Sequence, residues 1–282
     1  MSEIQQLQET ARQVRRDILR MVHGSASGHP GGSLGCADLL TALYFSVMDH
    51  RPEFRMDGRG EDLFFLSNGH ISPVWYSVLA RSGYFPVAEL ATFRKLDSRL
   101  QGHPATHEGL PGVRVASGSL GQGLSVAIGA ALAKKLEGDE KHVYCLMGDG
   151  ELQEGQIWEA AMFAAHHRVD NLMAFVDWNG QQIDGPNDEV IGLGDLAAKW
   201  RSFGWEVREI AEGNHLARLL DDIRDARRLL QRGKPVVCLV RTVMGKGVDF
   251  MEDSHKWHGS TPNDDQLARA LEQLPATSLG DY

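Results

Sequence analysis

The sequence predicts a three-layer α/β/α domain built on a mostly parallel central sheet. Five apolar runs of strand length, Leu63–Leu66, Val143–Met147, Leu172–Val176, Trp205–Ile210 and Val236–Val240, alternate with stretches of helical periodicity. Strands that are apolar throughout, interleaved with helices, are buried on both faces and imply helical layers above and below. Two of the runs lead into glycine turns that carry a polar side chain, Gly148-Asp149-Gly150 and Asn179-Gly180. In sheets of this kind ligands bind beyond the carboxyl ends of the strands, so both turns are candidate site positions.

Taken in order, Gln6–Met21 reads as an amphipathic opening helix, and Ser25-Ala26-Ser27-Gly28-His29-Pro30-Gly31-Gly32-Ser33 as a glycine-rich loop. Helical patterning resumes over Ala37–Val47, and again at Pro73–Ala80 and Val87–Phe93 after the first strand. The next helix, Leu120–Leu136, is rich in small residues (Gly121, Gly123, Ala127, Gly129, Ala130, Ala131, Ala133), which permits close backbone approach either to the sheet or to another protein chain. Ile157–His166, Leu196–Ser202 and Leu216–Gln231 complete the helical set between the later strands.

A chain of 282 residues can bury a sizeable core, roughly 75 % of its unfolded surface at a length of about 300. No Pro/Ser-rich linker, charge block or repeat divides it, so a single domain over residues 1–282 is expected. The net charge of −9, with Lys and Arg dispersed, argues against a nucleic-acid surface. The amino terminus lacks a basic segment followed by an apolar one, and no apolar stretch reaches spanning length. A soluble, cytoplasmic protein with no membrane role is therefore expected. Cys36, Cys145 and Cys238 are far apart and fit no zinc spacing, so they read as buried thiols.

Asp149 decides what kind of ligand the strand ends would hold. A carboxylate in the turn would repel a bare diphosphate by on the order of 4 kcal/mol at 4 Å and an effective dielectric near 20. A divalent cation must then lie between them. An acid, the amide oxygen of Asn179 and phosphate oxygens suit Mg²⁺, a hard octahedral ion that takes few protein ligands and shares the phosphates.

Gly148-Asp149-Gly150 followed by Asp177-Trp178-Asn179-Gly180 at the next strand end resembles the thiamine-diphosphate motif, and six further blocks extend the likeness. These are Ser27-Gly28-His29-Pro30-Gly31, Leu66-Ser67-Asn68-Gly69-His70, Gln101-Gly102-His103-Pro104, Gly118-Ser119-Leu120-Gly121-Gln122-Gly123, Ile183-Asp184-Gly185 and His258-Gly259. Together the chain resembles the amino-terminal, diphosphate-binding part of the transketolase family, a thiamine-diphosphate-binding fold. The resemblance implies that Asp149, Asn179 and the backbone carbonyl of Gln181 bind Mg²⁺, while His70 contacts the diphosphate. It places Gly118 and Leu120 along the cofactor, Gly148 at the clamp, and Gly150 and Glu151 where free helical N–H groups face the diphosphate. His29, His103 and His258 would line the channel over the thiazolium and handle sugar hydroxyl and carbonyl oxygens. The other eight histidines read as surface or capping residues, and Lys246 either neutralises a phosphate near the cofactor entrance or sits on a solvated loop.

By the same resemblance the carboxylate that hydrogen-bonds the pyrimidine ring comes from a second domain. Glu151, Glu154 and Glu159 sit at the diphosphate end and should not reach that ring. The expectation is one subunit of a split transketolase-like transferase, moving a two-carbon ketol unit from a ketose to an aldose. A partner chain would carry the pyrimidine-binding and C-terminal domains in an α2β2 heterotetramer acting on sugar or sugar-phosphate substrates. Three alternatives remain open: another split thiamine-diphosphate carboligase or synthase of sugar biosynthesis, the alpha subunit of a 2-oxo-acid dehydrogenase, and a non-catalytic cofactor-binding module. The 2-oxo-acid dehydrogenase subunit would lack the Ser-Gly-His-Pro-Gly and Gln-Gly-His-Pro blocks.

Overall fold

The structure is a computed structural model that describes residues 1–282. Helix α1 (Glu3–Gly24) opens the chain, followed by α2 (Pro30–Gly35) and α3 (Ala37–Ala42), the latter running on into a π-helical turn at Leu43–Val47. Strand β1 (Leu63–Leu66) leads to α4 (Ser72–Arg81), then α5 (Gln122–Glu137), β2 (Val143–Gly148), α6 (Gly155–His166) and β3 (Leu172–Trp178). A two-residue hairpin, β4 (Gln181–Gln182) with β5 (Gly185–Pro186), precedes α7 (Asn187–Val190) and α8 (Leu196–Ser202). The chain ends through β6 (Glu206–Ile210), α9 (Leu216–Arg227), β7 (Val236–Arg241) and α10 (Asp264–Gln273).

The five long strands form one parallel sheet in the order β1-β2-β3-β7-β6. Strand alternation sends Phe64, Tyr144, Leu146, Phe175 and Cys238 into a core covered by α1, α3, α4 and α9. The intervening residues, among them Phe65, Cys145, Met147, Val176 and Leu239, enter a second core under α5, α6 and α8. The three-layer expectation therefore holds, and every long strand falls where the sequence places it. β2, β3 and β7 run on by one or two residues to Gly148, Trp178 and Arg241, whereas the indole N–H of Trp205 donates to the Ala161 carbonyl at 2.9 Å, so it packs as a core anchor and its strand begins one residue later. All three cysteines are buried and unpaired, and no helix is long and apolar enough to cross a membrane.

Other differences have local causes. The opening helix starts at Glu3 because Ser2 and Gln5 form a reciprocal capping box. Residues 25–33 are not all loop, since α2 begins at Pro30. Proline is preorganised for the first helical position, and burial of all six residues of α2 overrides the poor helix propensity of its three glycines. Val87–Thr92 is a 3₁₀ helix rather than an α-helix. Helix α9 stops at Arg227, four residues before the expected end. Helix α10 is an addition to the expected elements, although its signal is present in an Asn263–Gln266 capping box ahead of Leu267, Ala270, Leu271 and Leu274.

Candidate active site

Parallel pairing of β2 and β3 sets Gly148 opposite Asp177, which brings the two glycine turns to one edge of the sheet. Asp149 is 2 % exposed; its Oδ1 accepts from the Gly150 N–H at 2.8 Å and its Oδ2 from the Gly180 N–H at 2.6 Å. Beside it Asp177, also buried, accepts from the Thr242 hydroxyl and from the Asn179 side-chain amide, the latter at 2.7 Å. That bond fixes Asn179 so that its Oδ1 lies 2.9 Å from the Gln181 N–H. Burial, then the charge of Asp177, pushes the Asp149 carboxyl up to about 7 against the opposing N–H groups.

Two buried carboxylates without a cation are expensive, and the buried side-chain oxygens of Gln181 and Asn187 have no partner. Hard oxygen donors around uncompensated negative charge fit a divalent cation. No group of three or more His, Cys, Asp or Glu side chains could hold a metal by itself, so such an ion needs oxygens from a bound ligand. A hard divalent cation that shares a bound ligand's oxygens would meet that deficit.

Above these acids opens a cavity of ≈ 370 Å³. Of the residues singled out in the sequence, His29, His70, Gly118, Leu120, Gly148, Asp149, Gly150, Glu151, Asn179, Gln181 and His258 line it, together with Asn68, Asp177 and Gln182. His103 stands outside, with its ring packed on Gly118, where φ is +152° and a Cβ would come within 3.2 Å of the imidazole. Lys246 lines a different cavity beside Arg12 and Arg15. Its ammonium pairs with Glu252 at 3.1 Å and its carbonyl accepts from Arg15 Nε, so of its two readings the phosphate-neutralising one does not fit the structure.

Glu151 does something the sequence did not reveal. The side chain is 2 % exposed and turns away from the cavity to accept from the Ser67 hydroxyl, from Gly121 N–H at 2.7 Å and from Gly148 N–H at 3.0 Å. Ser67 Oγ in turn accepts from Gly123 N–H at 3.1 Å. One carboxylate thus ties the ends of β1 and β2 to the start of α5, complementing the positive end of that helix. Burial raises the Glu151 carboxyl while these donors pull it down. Glu151→Gln must turn an NH₂ toward at least one of these N–H donors, and should cost about 1–3 kcal/mol in thermal or denaturant unfolding.

Four segments distant in sequence deliver four imidazoles to one place. His29 caps α2, His70 leaves the end of β1, His103 comes from the loop before Pro104, and His258 follows a short 3₁₀ turn at His255–Trp257. The His29 ring centroid lies 5.2 Å from His70, 5.6 Å from His258 and 6.3 Å from His103, and His70 stacks on His258 at 5.0 Å. Burial and mutual repulsion hold His29 down to about 4 and His70 well below its ordinary value. Burial also lowers His103 and His258. These are neutral rings at pH 7, each able to donate and accept, and the Nδ1 atoms of His29 and His258 are buried with no partner. Of the remaining histidines, His215 caps α9, His23 meets Asp264 at 2.8 Å and His50 bridges Tyr84 and the Tyr44 carbonyl, all away from the cavity.

Comparison with known proteins places this geometry. Residues 5–277 match the family described as "Transketolase, thiamine diphosphate binding domain". A subunit of the apulose-4-phosphate transketolase of Actinobacillus succinogenes is 37 % identical over 270 residues, covering 95 % of this chain and 96 % of that protein. The 6-deoxy-6-sulfo-D-fructose transketolase subunit SqwG of a Clostridium species is 38 % identical, with the same coverage of each. The crystal structure of transketolase from Campylobacter jejuni superposes with a TM-score of 0.88 at 33 % identity, over 97 % of this chain and 43 % of that one. Against human transketolase the identity is 34 %, over 40 % of the human protein.

Proposed function

Since the chain belongs to the transketolase family and carries its thiamine-diphosphate-binding domain, we propose that it is one subunit of a two-chain transketolase-like transferase moving a two-carbon ketol unit from a ketose to an aldose. The observation that carries this reading is the meeting of four neutral imidazoles over a cavity whose floor is the Asp149–Asp177 acid pair. A dinucleotide site has no use for that floor, and a 2-oxo acid offers few hydroxyls for those rings. The named relatives are subunits of almost the same length as this chain, and full transketolases extend well beyond the matched region. We therefore assign residues 1–282 to a single diphosphate-binding domain, and the pyrimidine-binding and C-terminal domains to a partner in an α2β2 assembly.

In this reading Asp149, Asn179 and the Gln181 carbonyl hold Mg²⁺ against the diphosphate, with His70 and the Gly148–Gly150 turn at the phosphate end. Thiamine diphosphate, when bound, supplies the nucleophilic carbon and the electron sink that let a carbon–carbon bond next to a ketone break and re-form. This chain binds and orients. Gly118 and Leu120 flank the ring system, and His29, His103 and His258 orient the sugar by donating to carbonyl oxygen and exchanging protons with hydroxyls. Being uncharged, they do so without placing a fixed cation beside the reacting carbon. The exposed face of α5, with Ser125, Val126 and an open Gly129, and the neighbouring Met162 and Phe163 of α6 form the surface we assign to partner contact. The opposite face, Gly123, Ala127 and Ala131, packs on the sheet, which is the packing reading of the small-residue helix; the partner-contact reading is proposed for the exposed side alone.

Mixing the chain with a subunit that carries the pyrimidine-binding and C-terminal domains should give ketol transfer from phosphorylated or sulfonated ketoses that requires Mg²⁺ and cofactor. The chain alone should show none. Full turnover without a partner would overturn the two-chain assignment, and absence of carbon–carbon chemistry with any ketose or 2-oxo acid would favour a binding module.

A further inference from the structure

Arg94 lies at the outer end of the histidine cluster and plays no part in the site as described above. Its backbone is left-handed at φ +56°, a conformation that costs a residue with a Cβ, and its N–H donates to the Leu100 carbonyl at 2.9 Å, closing the 94–100 loop. The guanidinium reaches two other loops. Nη1 donates to Ser27 Oγ at 2.9 Å, two residues before His29. The plane of the group lies against Gly102, one residue before His103, where a Cβ would come within 2.6 Å of Nη2 and 2.7 Å of Nε. Tyr76 of α4 supports the second loop by donating its hydroxyl to the Gln101 carbonyl at 2.8 Å.

Charge makes Arg94 unusual. Arg15, Arg16, Arg81 and Arg114, the other largely buried arginines, each face a carboxylate at 2.5–2.6 Å. Arg94 forms no ion pair, and its buried Nε has no partner. An uncompensated, partly desolvated guanidinium is retained against a solvation penalty, so its field and its fork should both matter to what surrounds it.

We propose that Arg94 is a positioning residue of the histidine channel, bracing the loop of His29 against the loop of His103 and imposing one unpaired positive charge on both rings. The inference rests on the reading that these histidines handle substrate, but its test needs neither cofactor nor partner. Arg94, His103 and His258 act on His29, whose ring also lies against His70, and Arg94 alone of the charged side chains acts on His103; Asp184 acts on His258 rather than on either. Apart from burial, the Arg94 charge works with the neighbouring rings in keeping His29 neutral, and is the one charge keeping His103 neutral. The brace sets their spacing, because no backbone hydrogen bond joins the loops that carry them.

The test is a histidine-ring titration by NMR with amide hydrogen exchange on the same chain. Arg94→Gln should raise the midpoints of His29 and His103 by on the order of one pH unit, leaving those of the remote His23 and His215 in place. Arg94→Lys keeps the charge and should restore the midpoints. Its single ammonium cannot span Ser27 and Gly102, so exchange at residues 27–29 and 101–103 should accelerate in both variants. Unchanged midpoints in a folded Arg94→Gln chain would overturn the proposal. So would unchanged loop exchange in Arg94→Lys, a variant that retains the charge and is the safer one to fold.

Discussion

Replacing Asp149 by alanine in the assembled enzyme should abolish Mg²⁺-dependent binding of thiamine diphosphate, with calorimetric affinity falling at least about 100-fold, or roughly 2.7 kcal/mol. The carboxylate is the one formal charge among the proposed ligands, and without it the diphosphate–metal unit has only amide and carbonyl oxygens to meet. Affinity within threefold of the wild type would refute the ligand assignment. The metal-free chain should show the converse cost. Because the folded Asp149 carboxyl titrates near 7, and an unfolded one near 4, the folded state holds its proton longer than the unfolded state does. Below about pH 4 both states are protonated and there is no penalty. As pH rises toward 7 stability is lost, by roughly 4 kcal/mol at most. In chelator, wild type should therefore lose more thermal stability over this window than Asp149→Asn, in which only the neighbouring Asp177 and Glu151 carboxyls still titrate. Parallel pH profiles for the two proteins would contradict the burial argument. Adding Mg²⁺ and cofactor to the assembled wild type should restore what the charge cost.

Gly123→Ala should be a damaging single-methyl change near the site. A Cβ there would stand 2.5 Å from the Ser67 Cβ and 2.6 Å from its Cα. Ser67 cannot retreat, because its N–H donates to the Leu146 carbonyl at 2.9 Å and its hydroxyl is the bridge to Glu151. Overpacking against backbone should cost about 3 kcal/mol and lower the melting temperature by on the order of 5–10 °C. The displacement would also part α5 from the end of β1 and weaken cofactor binding. Gly129→Ala is the internal control: six residues along the same helix, nothing lies within 4 Å of the added methyl, and helix propensity should raise monomer stability by up to about 1 kcal/mol. Equal melting temperatures for the two variants would show that the close approach at Gly123 is not real.

The legible parts of the molecule were those in which local pattern and tertiary environment agree. Four of the five long strands could be read because burial on both faces leaves a run with no charged residue, as in Val143–Met147, while β6 at the sheet edge carries Glu206, Arg208 and Glu209. The cavity-lining histidines could be read because each stands in a short block beside glycine. Helix α2 could not, since three glycines in six residues signal a loop, and only burial beneath α1 makes that segment helical. Asp177 and Glu151 were visible as residues but not as parts: nothing about the spacing of Glu151 to Ser67, 84 positions away, announces a hydrogen bond. Arg94 carried no signal, being one of many dispersed arginines until the loops around it close.

By itself the sequence determined the layering of the domain, the strand ends that form the candidate site, and the pairing of an acid with an amide 30 residues apart. Those properties follow from periodicity and residue chemistry, which are local. Tertiary structure alone decided that Asp149 and Asp177 share one desolvated floor, that four imidazoles meet there uncharged, and that the Glu151 side chain ties strand ends to a helix start. Desolvation and the distance between charges exist only once segments from opposite ends of the chain are packed together, so proton affinities and hydrogen-bond partners at the site belong to the fold.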